Sequence, residues 1–184
     1  VIEGDEYDSA FFDETAKFLK YLPDVAVVNN LEFDHADIYL DLAAIVLAFR
    51  RFVSLIPRKG LLLLGGDDAN APALAEFARC RVATFGTGVS CGWRADRVTA
   101  SGASTAFDAF YGDRLFGHFE VPLLGMHNVR NALAAVAIGE HLGIDAAAID
   151  EGLRTFTGVK RRLELRGAAR GIGVYDDFAH HPTA

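Results

Sequence analysis

The chain has 184 residues, 51% hydrophobic and 23% charged, a composition that supports a sizeable core and excludes a disordered segment. Its net charge of -7 argues against a nucleic-acid partner, whose recognition needs clustered Lys and Arg. No apolar run reaches the ~20 residues of a membrane span, and Cys80 and Cys91 form neither a metal-ligand spacing nor a disulfide framework, so a cytoplasmic protein with no membrane partner is expected.

Val1-Ile2-Glu3 reads as the tail of a strand that runs into an acidic loop with Glu3, Asp5, Glu6 and Asp8. Four carboxylates in six residues repel one another, so either a nearby cation or full solvation relieves them. The apolar run Val25 to Val28 then stops abruptly at Asn-Asn-Leu-Glu-Phe-Asp-His-Ala-Asp, residues 29 to 37. A buried parallel strand delivers polar groups to the carboxyl edge of its sheet in this way, and α/β proteins bind ligands at that edge. Oxygen ligands with a single imidazole suit Mg²⁺ or Mn²⁺, with Glu32, Asp34, His35 and Asp37 as candidates. Helix capping by Asp37 or Asp41 is the competing explanation.

Leu42, Ile45, Val46, Phe49, Phe52, Val53 and Ile56 recur at steps of three and four, which predicts a helix over 41 to 56. Leu61 to Leu64 is a continuous apolar run before Gly65-Gly66 and reads as a strand buried on both faces. Asp67 to Asn70 can cap a helix over Ala71 to Arg79, and Arg81 to Phe85 is a further short strand. This alternation predicts a mostly parallel sheet flanked by helices. From Gly88 to Pro122 the helical period disappears, and Gly112-Asp113 between two alternating runs predicts a small appended antiparallel sheet.

Gly125-Met126-His127-Asn128-Val129-Arg130-Asn131-Ala132 is a glycine-led turn into an alanine-rich helix that runs to about His141. Asn128 and Asn131 fall on one face of its first turn, where an amide pair can read a purine edge; Asn128 as a simple N-cap is the alternative. A second helix covers Asp145 to Phe156. Thr157-Gly158-Val159 then breaks the pattern before the basic Lys160-Arg161-Arg162, a solvated linker or a phosphate-binding fork. Two strands, Leu163 to Arg166 and Gly173 to Asp176, precede Asp176-Asp177-Phe178-Ala179-His180-His181-Pro182-Thr183.

Taken together, the acidic Glu3 to Ser9 stretch, residues 30 to 37, Gly125 to Asn128 with Asn131-Ala132, Gly158 with Arg161-Arg162, and residues 176 to 183 resemble the Mur ligases, ATP-dependent amide-bond formers of peptidoglycan metabolism. The order and approximate spacing of these motifs match the family over essentially the whole chain. The resemblance implies a central ATP-binding domain over 1–158 and a linker with the first strands of a C-terminal α/β ligase domain over 159–184. It also implies a longer enzyme, since the Gly-Lys-Thr/Ser phosphate loop that normally precedes the Glu3 strand is absent, and this piece alone is expected to be inactive.

The wording around residues 29 to 37, 161 to 167 and 176 to 184 is most similar to the branch that joins UDP-N-acetylmuramate to the murein tripeptide in peptidoglycan recycling. The L-alanine-adding branch is the alternative, and a metal-dependent hydrolase is a more distant one. The absence of a lysine between Leu40 and Ser54, where many Mur ligases carry a carbamoylated one, fits either of the two ligase branches. By resemblance, Glu3 and His35 are ligands of two Mg²⁺ ions, and His127, Asn128 and Asn131 lie at the adenine of ATP. Arg162, and with it Arg161, contacts the phosphates, Asp177 holds the ribose, and His180 lies near substrate. Glu3, His35 and Arg162 are the implied catalytic residues.

Overall fold

A computed structural model of the chain describes residues 4, 7–10 and 13–179. A short antiparallel hairpin pairs β1 (Asp8–Ala10) with β2 (Asp13–Ala16), and a 3-10 turn at Lys17–Lys20 follows. The elements after it are β3 (Val25–Val28), α1 (Leu42–Leu55), β4 (Leu61–Gly65), a 3-10 helix at Ala71–Phe77, β5 (Arg81–Gly86), β6 (Trp93–Ser101), β7 (Ser104–Tyr111) and β8 (Arg114–Val121). The helices α2 (Met126–His141) and α3 (Ala146–Arg154) precede a hairpin of β9 (Glu164–Ala169) and β10 (Ile172–Asp176).

One six-stranded sheet runs in the order β3-β4-β5-β6-β7-β8. Its first three pairings are parallel and its last two antiparallel. The antiparallel strands predicted around Gly112-Asp113 are therefore appended edge to edge, continuous with the parallel part, and β6 is the strand that joins them. The predicted Ala71 to Arg79 helix is a shorter 3-10 segment, with Pro72 in its first turn.

β4 explains the layering. All five of its residues are buried. Leu62 and Leu64 face a core built from α1, Phe18, Ala26, Val28 and Leu74, whereas Leu61 and Leu63 face a second core with Phe85, Trp93, Phe107, Phe119 and the buried stripe of α2. A strand covered on both sides needs no polar alternation, which is why its sequence is a run of leucines. Burying a leucine completely contributes about 1.5–3 kcal/mol, so this strand anchors both layers.

α1 buries Ile45, Ala48, Phe52 and Val53, on the face that the periodicity marks. It starts at Asp41, whose carboxylate accepts the Ala44 N–H at 2.9 Å. Asp41 is the cap. β9 and β10 stand apart from these cores as their own two-stranded sheet, with Leu165, Ile172 and Val174 all more than half exposed.

Candidate functional site

The parallel strands β3, β4 and β5 end side by side, and the polar loops after them form one continuous edge. Gly65 lies so close to the chain leaving β3 that a Cβ there would stand 1.9 Å from the Asn29 carbonyl oxygen. The Asn70 amide donates to the Leu31 carbonyl at 2.8 Å, tying the loop after β4 to the loop after β3. Buried Leu31 plugs the loop into the core beneath.

Within the β3 loop, Asp34 accepts the His35 N–H at 2.7 Å, and the His35 carbonyl accepts from Ile38 and Tyr39. His35 itself has a positive φ of 54°, a left-handed conformation that non-glycine residues adopt at a cost. Its ring meets that of Tyr7 edge to face, 4.8 Å between centroids. The Tyr7 hydroxyl donates to Asp37 at 2.6 Å. This bond holds the Asp37 carboxyl below its ordinary value and raises Tyr7. Asp37 thus serves the loop through Tyr7 and does not cap α1, as one of the sequence readings has it.

Among the described residues, no three His, Cys, Asp or Glu side chains gather as a closed metal shell would require. Mg²⁺ usually keeps several of its waters and takes one or two carboxylates, so a loop offering one imidazole beside Glu32 and Asp34 has a donor set that fits it. Glu3 and His180 lie outside the described residues.

α2 begins at Gly125, whose φ of 97° suits glycine. The His127 ring packs over it: a Cβ at Gly125 would be 2.7 Å from a ring carbon. Asn128 is not the N-cap. Its amide donates back to the Leu124 carbonyl at 2.8 Å and so braces the turn that enters the helix. Asn131, one turn on, is exposed.

The linker is the second polar cluster. Arg161 and Leu163 both have positive φ, 59° and 49°. Each is held there by a carboxylate: Glu164 accepts the Arg161 N–H at 2.9 Å, and Asp177 accepts the Leu163 N–H at 3.0 Å. Asp177 also accepts the Ala179 N–H at 2.7 Å, the largest cause of its lowered pKa, and nearby Arg162 and His127 lower it further. The positive charges of Arg162 and His127 thus act on Asp177 electrostatically, with no direct hydrogen bond or ion pair to it among the described residues. Arg161 lies over the Phe178 ring at 4.5 Å, and its guanidinium is 3.7 Å from Asp176.

Sequence reasoning missed Asp67, which it assigned to helix capping. Asp68 does that job, accepting from Asn70 and Ala71 at 2.9 and 2.6 Å. Asp67 instead accepts from Thr87, Gly88 and Arg130. Burial pushes its pKa up, but these donors outweigh burial and leave it lowered. An acid a few residues past the end of a buried apolar run is the signal, and β3 also carries it, in Glu32 and Asp34.

A three-layered α/β fold with polar strand ends is of the class that binds ligands at the carboxyl edge of its sheet. Residues 1–139 match the Mur ligase middle domain, and the chain belongs to that family. It is 44% identical over 183 residues to a UDP-N-acetylmuramate–L-alanine ligase of Salinibacter ruber, covering 100% of this chain and 37% of that protein. It is 40% identical over 184 residues to the UDP-N-acetylmuramate–L-alanyl-gamma-D-glutamyl-meso-2,6-diaminoheptandioate ligase of Escherichia coli K12, covering 100% of this chain and 40% of that protein. The crystal structure of the corresponding ligase from Neisseria meningitides superposes with a TM-score of 0.77 at 40% identity, over 88% of this chain and 48% of that one. The chain spans about two fifths of the length of the curated relatives it matches.

Proposed function

We propose that the whole protein carrying this chain is an ATP-dependent ligase that joins the carboxylate of UDP-N-acetylmuramate to the amine of the L-Ala-γ-D-Glu-meso-diaminopimelate tripeptide. The observation that carries this reading is the match of residues 1–139 to the Mur ligase middle domain, beside 40% identity to the E. coli tripeptide ligase along the full chain. In this reading residues 1–158 are the central ATP-binding domain, and 159–184 are the linker and the start of the C-terminal domain. The separate β9–β10 sheet with its exposed apolar side chains supports that division.

ATP phosphorylates the sugar carboxylate, the amine attacks the acyl phosphate, and phosphate leaves as the amide forms. Such chemistry depends on positioning and on electrostatic stabilisation of phosphoryl oxygens. His127, Asn128 and Asn131 serve the adenine, and Asp177 the ribose. Arg162 and Arg161 serve the phosphates, and His180 the substrate. His35 and Glu3 would hold Mg²⁺, with Mn²⁺ as an alternative, and that ion would neutralise phosphate charge. The two carboxylates on the linker N–H groups fix the backbone on either side of Arg162, which supports its role as an aimed cation.

The 44% identity to the Salinibacter enzyme favours a second reading, with L-alanine as the amine. Incubating the whole protein with ATP, UDP-N-acetylmuramate and equal amounts of tripeptide and L-alanine separates the two. The tripeptide adduct is the expected product by mass spectrometry. An alanine adduct alone would replace the first reading by the second.

A further inference from the structure

Asp67 stands just past the end of β4, and its side chain is 21% exposed. Its Oδ2 accepts the Thr87 N–H at 2.8 Å, the Thr87 hydroxyl at 2.9 Å and Arg130 Nε at 3.2 Å, while its Oδ1 accepts the Gly88 N–H at 2.9 Å. The β5 loop is shaped for this carboxylate. A Cβ on Gly86 would come within 2.7 Å of the Asp67 carboxyl atoms, and one on Gly88 within 3.1 Å of Oδ1. Three N–H and O–H donors from that loop, and the Cys91 thiol at 3.9 Å from Oδ1, orient the carboxylate before Arg130 is counted.

Arg130 lies on α2 between Asn128 and Asn131. The helix cap residue, Gly125, makes no side-chain capping bond, and the buried residues Val129, Ala132 and Leu133 hold the first turns by apolar packing. Apolar packing is non-directional: it turns the buried stripe of α2 toward the sheet without fixing the last few degrees of rotation at its exposed start. A charge-assisted hydrogen bond from Arg to a pre-oriented carboxylate is directional and supplies that finer constraint, beside the Asn128 bond to the Leu124 carbonyl.

We propose that Asp67 is a positioning residue: through Arg130 it sets the rotation of the start of α2, and with it the direction in which Asn128 and Asn131 meet the nucleotide base. This rests on the reading that those asparagines face the adenine of ATP. An exposed Arg–Asp pair contributes little to stability, so the contact acts on nucleotide affinity and not on folding.

The test measures steady-state kinetics and thermal unfolding of the whole protein carrying Asp67→Asn, Arg130→Met, Arg130→Lys or Asn131→Ala. Asp67→Asn and Arg130→Met are each expected to raise the KM for ATP about tenfold, the size typical of lost outer-shell support. In Arg130→Met the kcat, the KM for UDP-N-acetylmuramate and the Tm stay near the parent values, and a variant combining Asp67→Asn with Arg130→Met raises the KM for ATP no further than Asp67→Asn alone. Arg130→Lys keeps the charge and restores part of the loss. Arg130→Met leaves the Thr87 and Gly88 contacts intact, so it decides the matter should Asp67→Asn fail to fold. An unchanged KM for ATP in Arg130→Met, with a raised one in Asn131→Ala, would overturn the positioning role alone. An unchanged KM in Asn131→Ala would remove the adenine reading and the positioning role with it.

Discussion

Replacing Gly65 by alanine is expected to destabilise the protein by about 3 kcal/mol and to abolish its activity, the upper end of what overpacking a core costs. The added methyl would lie 1.9 Å from the Asn29 carbonyl oxygen and 2.9 Å from its carbon, both backbone atoms that no side-chain rotation can move aside. Gly65 sits in a strand buried along its whole length, so β4 cannot shift. Relief must come from β3, the outermost strand of the six among the described residues. Moving its end outward carries the Asn29 to His35 loop away from the β4 loop and breaks the Asn70 to Leu31 bond. Leu64→Ala provides the contrast. It deletes a fully buried side chain next door at a cost of about 2–5 kcal/mol but leaves the spacing of β3 and β4 intact. Chemical denaturation and phosphate release, measured on both variants of the whole protein, should separate them: both lose stability, and Gly65→Ala alone loses activity in the fraction that remains folded.

His35→Gly should dissociate stability from function in the opposite sense. The residue holds a φ of 54°, which glycine adopts freely, so the substitution relieves about 1 kcal/mol of backbone strain. The Ile38 and Tyr39 N–H bonds go to the His35 carbonyl and survive the change. The imidazole is lost, and with it the ligand assigned to the Mg²⁺ that would neutralise phosphoryl charge, for which a loss of kcat on the order of 10²-fold is expected. The melting temperature should stay level or rise while turnover falls. A fall in melting temperature would show that the ring supports the loop through its contact with Tyr7, and unchanged turnover would remove it from the chemistry.

The parallel half of the fold was legible because burial there is simple. Val25 to Val28 and Leu61 to Leu64 are apolar throughout because both faces are covered, and α1 repeats at the helical period because only one is. β6 was not legible. Trp93 and Ala95 point into the core while Arg94 and Asp96 alternate with them, but the pairing shifts between Asp96 and Thr99, where Arg97 has positive φ, and the alternation is lost. The β1–β2 hairpin starts at Asp8, which reads as part of an acidic loop, and its second strand opens on Asp13 and Glu14, with no apolar alternation to mark it.

At the candidate site, spacing along the chain marked His35 and the Asn128–Asn131 pair as candidates because each sits in a local pattern. Asp67 and Tyr7 escaped for the converse reason. Their partners lie far off in sequence, Thr87 and Arg130 for the first and Asp37 for the second, and only the folded sheet edge brings them within hydrogen-bond distance. The alternatives at Asp37, Asn128 and Asp67 were all capping or its absence, a local interaction that sequence cannot distinguish from a tertiary one of the same chemistry.

Phosphate release by the whole protein, followed with ATP, UDP-N-acetylmuramate and an amine substrate omitted in turn, tests the ligase assignment most directly. Stoichiometric release of phosphate with amide formation is expected when all three are present, and release near background when any one is missing. Phosphate release from ATP that ignores the sugar nucleotide and the amine, or amide formation that proceeds without ATP, would contradict it.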